Sequence, residues 1–198
     1  MPFVGKFSSR FALGLLGSLG VGALWVAPAW AEVEQAAVAA PPAAVAQGLV
    51  AWPEGWQVTR SVQPESGAPV LMRERGVRLD AQGEQALVME VTRTQLSSAD
   101  GYDARRVILQ MRKSLQIAFM QQGLQAACSA PRETQLDHLP GLELVCSVSR
   151  YGNEVLQQVV SVALDKQAAY SLSYAGPSAQ YVAMAEEIQA VRSALTLH

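Results

Sequence analysis

The fold of this chain is most clearly encoded in residues 141–176, GLELVCSVSRYGNEVLQQVVSVALDKQAAYSLSYAG. Apolar and polar residues alternate along this stretch with a period of two, which is typical of β-strands that bury one face. Two short segments, Tyr151-Gly152-Asn153 and Asp165-Lys166-Gln167, interrupt the alternation with residues that favour turns. The stretch therefore predicts a meander of three antiparallel strands joined by tight turns.

Upstream of the meander, the pattern predicts a strand near Trp56, a hairpin and a helix. Residues 70–79 and 85–95 read as strands and are separated by the turn Asp80-Ala81-Gln82-Gly83. From about Tyr102, apolar residues recur at helical spacing until Gly123, a typical helix stop, while Ser97-Ser98-Ala99-Asp100 offers N-capping side chains. A long amphipathic helix is therefore expected between the hairpin and the meander.

After the meander, Gly176-Pro177 is expected to begin a last helix. Its apolar stripe would consist of Tyr181, Met184, Ala185, Ile188, Val191 and Leu195. The order of strands, helix, strands and helix, with hairpin connections, predicts the α+β class. We expect an antiparallel β-sheet flanked by two amphipathic helices in α/β/α layers.

Several of these features together resemble a known family. They are the opening Trp-Pro-x-Gly-Trp at residues 52–56, the long central helix, the Gly141 turn into the meander, and the closing strand YSLSYAG at residues 170–176. The chain resembles, over residues 52–197, an uncharacterised family of exported bacterial proteins classed as a domain of unknown function. More remotely, its element order is similar to the PsbP/Mog-like fold. The resemblance implies a binding or assembly role, and it is at the level of the fold alone.

Residues 1–31 have the parts of a cleavable secretory signal peptide. Lys6 and Arg10 precede the uncharged apolar run FALGLLGSLGVGALWV, and Ala29-Trp30-Ala31 has small residues at the two positions that a signal peptidase reads. We expect cleavage between Ala31 and Glu32, which releases the protein into the periplasm with no membrane-spanning segment. The alternative, an uncleaved anchor, fits less well because a span needs about 20 apolar residues and this run contains four glycines.

The remaining 167 of the 198 residues suit one domain. Residues 32–50 are rich in Ala, Val and Pro without periodicity and are expected to form a flexible linker, which places a single globular domain at residues 51–198. The signal holds two of the 15 basic residues, so 13 basic and 17 acidic residues follow it, a net charge of −4. This acidic balance argues against nucleic-acid binding, which depends on clustered Lys and Arg.

Cys128 and Cys146 are the two cysteines of the chain. An even cysteine count in an exported protein predicts a disulfide bond, here one that closes a loop of about 18 residues and is worth roughly 3 kcal/mol. Alternation along the meander places Cys146 on the more apolar face of its strand, within reach of a partner just after the helix. The alternative is a pair of buried free thiols that pack as small apolar groups.

The sequence offers little for catalysis. Asp137-His138 is the sole pairing of a histidine with a neighbouring carboxylate, and it reads as an exposed turn. The spacings typical of zinc ligands are absent from the sequence, and Glu186-Glu187 project in different directions from a helix, so we expect no metal and no cofactor. We therefore expect a protein that is not an enzyme. An enzyme of unfamiliar type would have to use Asp137 or His138.

Trp52 and Trp56 are the least explained aromatic residues. They are expected either to pack as an N-terminal clasp or to form an exposed recognition edge that binds a partner. The leading functional hypothesis is a non-catalytic periplasmic binding or accessory protein with a protein partner. The alternative is a carrier that holds a small apolar ligand between sheet and helix. The sequence leaves the oligomeric state open.

Overall fold

The structure is a computed structural model and describes residues 48–62, 70–96 and 102–198. The signal peptide, its cleavage site and nearly all of the linker lie outside the described residues. Within them the elements follow the order β1 (Trp56–Ser61), β2 (Val70–Leu79), β3 (Gln85–Gln95), α1 (Ala104–Gln121), β4 (Gln125–Cys128), β5 (Arg132–Leu136), β6 (Leu139–Arg150), β7 (Asn153–Leu164), β8 (Ala168–Pro177) and α2 (Ala185–Ser193).

All eight strands form one antiparallel sheet in the order β1-β2-β3-β8-β7-β6-β4, with β5 paired to the same edge of β6 as β4. The predicted hairpin β2–β3 and the predicted meander β6–β7–β8 join through the pairing of β3 with β8, where Met89 lies opposite Tyr174. The predicted α+β class, an antiparallel sheet with two helices, is confirmed. The two short strands β4 and β5 were not predicted.

The two helices cover opposite faces of the sheet. On the α1 face, Ile108 of α1 packs against a cluster made up of Leu144, Cys146, Val160 and Val162. On the α2 face, Ile188 and Val191 of α2 belong to a larger core with strand residues such as Leu87, Met89, Val91, Val159, Leu172 and Tyr174. Val159 and Val160 of β7 point to opposite sides, which is the period of two expected for a strand covered on both faces.

The folded part begins earlier than the sequence indicated. Leu49 and Val50, which were assigned to the linker, are 0% and 3% exposed. Val50 forms a β-bridge with Leu195, and the Thr196 N–H donates to the Leu49 carbonyl at 2.9 Å. The two ends of the domain are therefore paired with each other above the α2 face.

The last helix begins later than predicted. Strand β8 continues through Gly176 and Pro177, which lie opposite Gln157 and Leu156 of β7, and α2 starts only at Ala185. A side chain at Gly176 would come within 2.8 Å of the Ala86 carbonyl oxygen, so the glycine permits close contact with the neighbouring strand. Sheet pairing thus overrides the local helix-start signal of Pro177.

Helix α1 follows its prediction closely. Its N-cap is Asp103, whose side chain accepts a 2.9 Å hydrogen bond from the Arg105 N–H. The proposed caps Ser97 to Asp100 lie outside the described residues. The helix ends just before Gly123, which has a φ of +72° and so takes the left-handed conformation that glycine accommodates.

Candidate functional site

An open groove lies on the α1 face because α1 does not cover the whole sheet. The helix contacts β4, β6 and β7, and between it and strands β3 and β8 a groove of about 510 Å³ is left. Its floor comes from the sheet residues Val88, Glu90, Gln158, Val160, Ser173 and Ala175, and its wall from the α1 residues Gln110, Met111, Ser114, Leu115 and Ala118. We call this feature the α1 groove. Its volume lies within the range of small-molecule binding sites.

A second, smaller cavity of about 180 Å³ continues the α1 groove towards the start of the helix. Met111 lines both cavities, and Val107 and Val162 provide further apolar surface. The floor here is polar at one point, where the Thr92 and Ser171 hydroxyls hydrogen-bond to each other across the β3–β8 pair. The combined floor is therefore mixed. Val88, Val160, Val162 and Ala175 are apolar, whereas Glu90, Gln158 and several hydroxyl groups are polar.

Charged side chains lie along the sheet side of the α1 groove. Glu90 pairs with Arg73 of β2 at 3.5 Å, and Arg75 lies directly opposite Glu90 in the β2–β3 register. Arg75 is exposed, and no carboxylate among the described residues lies within ion-pair distance of it. At the other end of the groove, Arg106 lines a third cavity that also contains Met111.

A buried ion cluster lies on the α2 face. Glu143 is 5% exposed, and its carboxylate accepts hydrogen bonds from Arg132 at 2.7 Å, Arg192 at 2.8 Å and Ser161 at 2.9 Å. Burial alone would raise the pKa of Glu143, but the hydrogen bonds from Arg132 and Ser161 and the positive charge of Arg192 outweigh it, so the pKa lies below its usual value. Because Arg192 also donates to Thr134 at 3.2 Å, the cluster ties α2 to β5, β6 and β7.

Two tyrosines adjoin this cluster. The rings of Tyr174 and Tyr181 stack with their centroids 6.3 Å apart. Burial raises the pKa of both hydroxyls, and the negative charge of Glu143 raises them further. Both phenols are therefore neutral near pH 7.

A second buried carboxylate, Glu74, holds the start of the domain in place. It is 0% exposed, and it accepts hydrogen bonds from the Leu49 N–H at 2.6 Å and the Trp52 indole N–H at 2.8 Å. Trp56 is 9% exposed and lies 5.3 Å from Trp52 between ring centroids. These contacts are those of an N-terminal clasp. Trp56 is buried, whereas the Trp52 ring stays partly exposed with its indole N–H engaged, so a recognition role for these two residues stays a prediction.

The structure does not place Asp137 and His138 in a cleft. They form the tight turn between β5 and β6, where Asp137 has a φ of +51° and the His138 side chain is 63% exposed. Asp137 accepts from the Leu197 N–H at 3.0 Å and lies 2.9 Å from His138 Nδ1, and these contacts hold the pKa of Asp137 below its usual value. The pair therefore fixes the C-terminal segment, and its position gives no support to a catalytic role.

The two cysteines lie directly opposite each other on β4 and β6, with their sulfur atoms at a disulfide distance of 2.05 Å. Cys146 is fully buried beside Leu144 in the cluster under α1, on the apolar face that the alternation predicts. Cys128 packs against the same cluster. This position joins the short edge strand β4 to the central sheet.

No three His, Cys, Asp or Glu side chains in the described ranges come together in a way that could hold a metal ion. Neither of the two helices in that part of the chain is long and apolar enough to cross a membrane.

Sequence reasoning missed the α1 groove and both buried carboxylates. Glu143 lies on a strand in which both faces are covered, but its alternation with Leu142 and Leu144 is that of a strand with one exposed face, so the sequence gives no sign of its burial. Glu74 gives none either, because its neighbours Arg73 and Arg75 make the strand read as an exposed one. The groove depends on where α1 lies across the sheet, which no local pattern specifies.

Comparison with known proteins gives a family and a fold. Residues 47–197 match the family described as "Domain of unknown function (DUF4946)". No curated protein matches the chain. The solution structure of cyanobacterial PsbP (CyanoP) from Synechocystis sp. PCC 6803 is similar, with a TM-score of 0.53 at 15% identity over 74% of this chain and 84% of that one.

A second structure, LpqN of Mycobacterium tuberculosis, which is described as involved in cell envelope biogenesis, aligns with a TM-score of 0.45 at 12% identity. The alignment covers 72% of this chain and 78% of LpqN. At these identities the likeness to PsbP concerns the fold alone.

Proposed function

The chain belongs to the family described as a domain of unknown function (DUF4946), and we propose that it is an exported, non-catalytic binding protein whose binding site is the α1 groove. The observation that carries the proposal is the groove itself. It has about 510 Å³ of open space between a helix and a sheet, and its lining is mostly apolar with several polar side chains among the apolar ones. A groove with this lining suits a small, largely apolar ligand.

The chemistry of the lining favours binding over catalysis. Ser114, Ser173 and Gln158 in the groove can donate and accept hydrogen bonds, and the two serine hydroxyls would need a neighbouring base to act as nucleophiles. Glu90 also lines the groove, and its carboxylate is paired with Arg73. His138 lies at the β5–β6 turn, away from the residues that line the groove.

Export is supported by two separate features of the chain. The first 31 residues have the charge and hydropathy pattern of a signal peptide. The pair Cys128–Cys146 lies at a disulfide distance, and disulfides persist in oxidising compartments such as the periplasm. We propose that the protein works there after removal of residues 1–31.

Groove-blocking variants test the proposal. Ala118 is exposed on the groove side of α1, so Ala118→Trp should fill the groove, while Ala190→Trp places the same ring on exposed α2 at the opposite face. The exported protein is titrated with Nile red, a neutral apolar dye, and is examined by native mass spectrometry for co-purified small molecules. We expect the wild type and Ala190→Trp to bind the dye with similar affinity. Ala118→Trp should bind it at least about tenfold more weakly, because the new ring occupies space that the dye would otherwise fill. Equal binding by both variants, or none by the wild type, would contradict the proposal.

A protein partner is the second candidate, because β1 lies at the end of the strand order and pairs only with β2 among the described residues. An edge strand can accept a strand from another protein. Photo-crosslinking from Thr59 on β1, with Gln189 on α2 as the control position, tests it. Capture of the same protein from both positions, or from neither, would remove this candidate.

A further inference from the structure

We propose that the natural ligand of the α1 groove is a fatty acid, whose alkyl chain lies along α1 and whose carboxylate is held by Arg75. This inference rests on the binding function proposed above and adds the class of ligand. Two separate properties of the site support it, namely the shape and polarity of the groove and the distribution of charge around it.

The groove is long enough for an alkyl chain. Its α1 wall extends from Val107 to Ala118, which at 1.5 Å per residue is about 16 Å. Met111 joins its two cavities, so the apolar surface continues from one to the other. An alkyl chain that extends from Glu90 towards Val88 lies against Ser114, Leu115 and Ala118 of α1, and each buried CH₂ contributes about 0.8 kcal/mol.

The charge around the groove is positive. Arg73 and Arg75 on β2 lie along the sheet side, and Arg106 lines the cavity at the start of α1. The negative groups at these places are Glu90, which is paired with Arg73, and Asp103, whose side chain caps α1. Three arginines against two carboxylates favour an anionic ligand over a neutral or cationic one.

Arg75 is the cation best placed to bind the ligand's carboxylate. It lies opposite Glu90 in the strand register, and side chains so placed are about 5 Å apart on one face of a sheet. Glu90 in turn lines the groove floor next to Val88. Arg73 is already engaged with Glu90, whereas Arg75 has no carboxylate within ion-pair distance in the described part of the chain.

The test compares three probes that share one alkyl chain and differ in head group: dodecanoate, dodecanol and dodecyltrimethylammonium. Binding to the exported protein is measured by isothermal titration calorimetry below micelle-forming concentrations and at low ionic strength. Arg75→Glu reverses the proposed contact. Arg150→Glu makes the same change at an exposed arginine at the far end of β6 and serves as the control.

We expect the wild type to bind dodecanoate most tightly and the ammonium probe most weakly. Arg75→Glu should raise the Kd for dodecanoate about five-fold or more and change the Kd for dodecanol less than about two-fold. The reason is that an exposed ion pair contributes up to about five-fold in affinity, and the reversed charge at residue 75 adds repulsion. Added salt should weaken dodecanoate binding alone. Arg150→Glu should resemble the wild type.

Different failures have different meanings. The fatty-acid inference is overturned if dodecanoate and dodecanol bind equally. It is also overturned if Arg75→Glu leaves dodecanoate binding unchanged while Ala118→Trp abolishes it. In either case the groove remains a binding site. If none of the three probes binds, or if Ala118→Trp binds all three as the wild type does, the proposed binding function itself is wrong.

Discussion

Glu143→Gln should destabilise the protein strongly, because it removes the charge at the centre of the buried cluster on the α2 face. The side chain is nearly isosteric, so the packing of β6 is retained while the ionic hydrogen bonds from Arg132 and Arg192 are lost. The Arg192 side chain is only 17% exposed and would be left without its carboxylate. The exposed Arg132, at 67%, can return to water at little cost.

The magnitude follows from these contacts. Removing one partner of a buried ion pair costs about 3–5 kcal/mol, and the amide oxygen of Gln recovers part of this, so we expect a loss of about 2–4 kcal/mol. For a domain of this size, that corresponds to a fall in Tm of roughly 5–12 °C. The matched control is Glu187→Gln on α2. Glu187 lies 3.2 Å from Arg78, and both side chains are about one-third exposed. Because this ion pair is exposed to solvent, Glu187→Gln should cost under about 1 kcal/mol.

The assay is urea unfolding of wild type, Glu143→Gln, Arg192→Met and the double variant. The double variant should be more stable than the sum of the single losses predicts, by about 1–3 kcal/mol, because it no longer leaves a charge unpaired. The pKa of Glu143 is lowered in the folded state, so its contribution is complete above the unfolded value near 4.5 and is lost as pH falls through the lower folded value. Equal losses for Glu143→Gln and Glu187→Gln, or a difference from wild type that persists unchanged in acid, would refute this reasoning.

Three further predictions concern the other contacts that close the domain. Freshly purified, unreduced protein should contain no titratable thiol, and a full thiol titre would contradict the disulfide. Cys128→Ser should lower the Tm by several degrees, because the 18-residue loop is then no longer closed. The expected loss in the free energy of unfolding is roughly 3 kcal/mol. Trp52→Phe removes the indole donor to buried Glu74 and should cost about 1–3 kcal/mol in urea unfolding, and an unchanged midpoint would exclude the clasp. Asp137→Ala should cost about 1–2 kcal/mol, because it removes the acceptor for the Leu197 N–H and because alanine tolerates the left-handed backbone of this position less well than aspartate does. It should also increase hydrogen exchange at the Leu197 amide, and unaltered exchange would count against the contact.

How far the fold could be read from the sequence depends on how local the signals are. The bounds of β2 and β3 are predicted to the residue because β3 carries its own alternation and the turn between the two strands contains Gly83 at a φ of +79°. Strands β4 and β5 have only four and five residues, and their partner is β6, later in the chain. They form because β6 offers a free edge, and neither segment carries enough pattern of its own to show this.

The start of the domain illustrates the same limit. Leu49 and Val50 follow an Ala-rich, Pro-containing segment, and nothing local distinguishes them from it. They are buried because the C-terminal segment at Leu195 and Thr196 offers backbone partners and because Glu74 accepts the Leu49 N–H. Val50 and Leu195 are far apart in the sequence, and a contact between such residues produces no periodic pattern in either segment.

The α1 groove has a physical origin in the register of the central strands. On the α1 face, β6 and β7 present Leu144, Val160 and Val162, whereas β3 and β8 present hydroxyl groups such as Thr92 and Ser171. An amphipathic helix gains more by covering the aliphatic strands, at about 25 cal/mol per Å² of apolar surface removed from water. The helix therefore lies to one side, and the more polar strands β3 and β8 stay open beside it. With the register known, the position of the groove follows from residue types alone; without it, the same serines and threonines read as ordinary exposed strand residues.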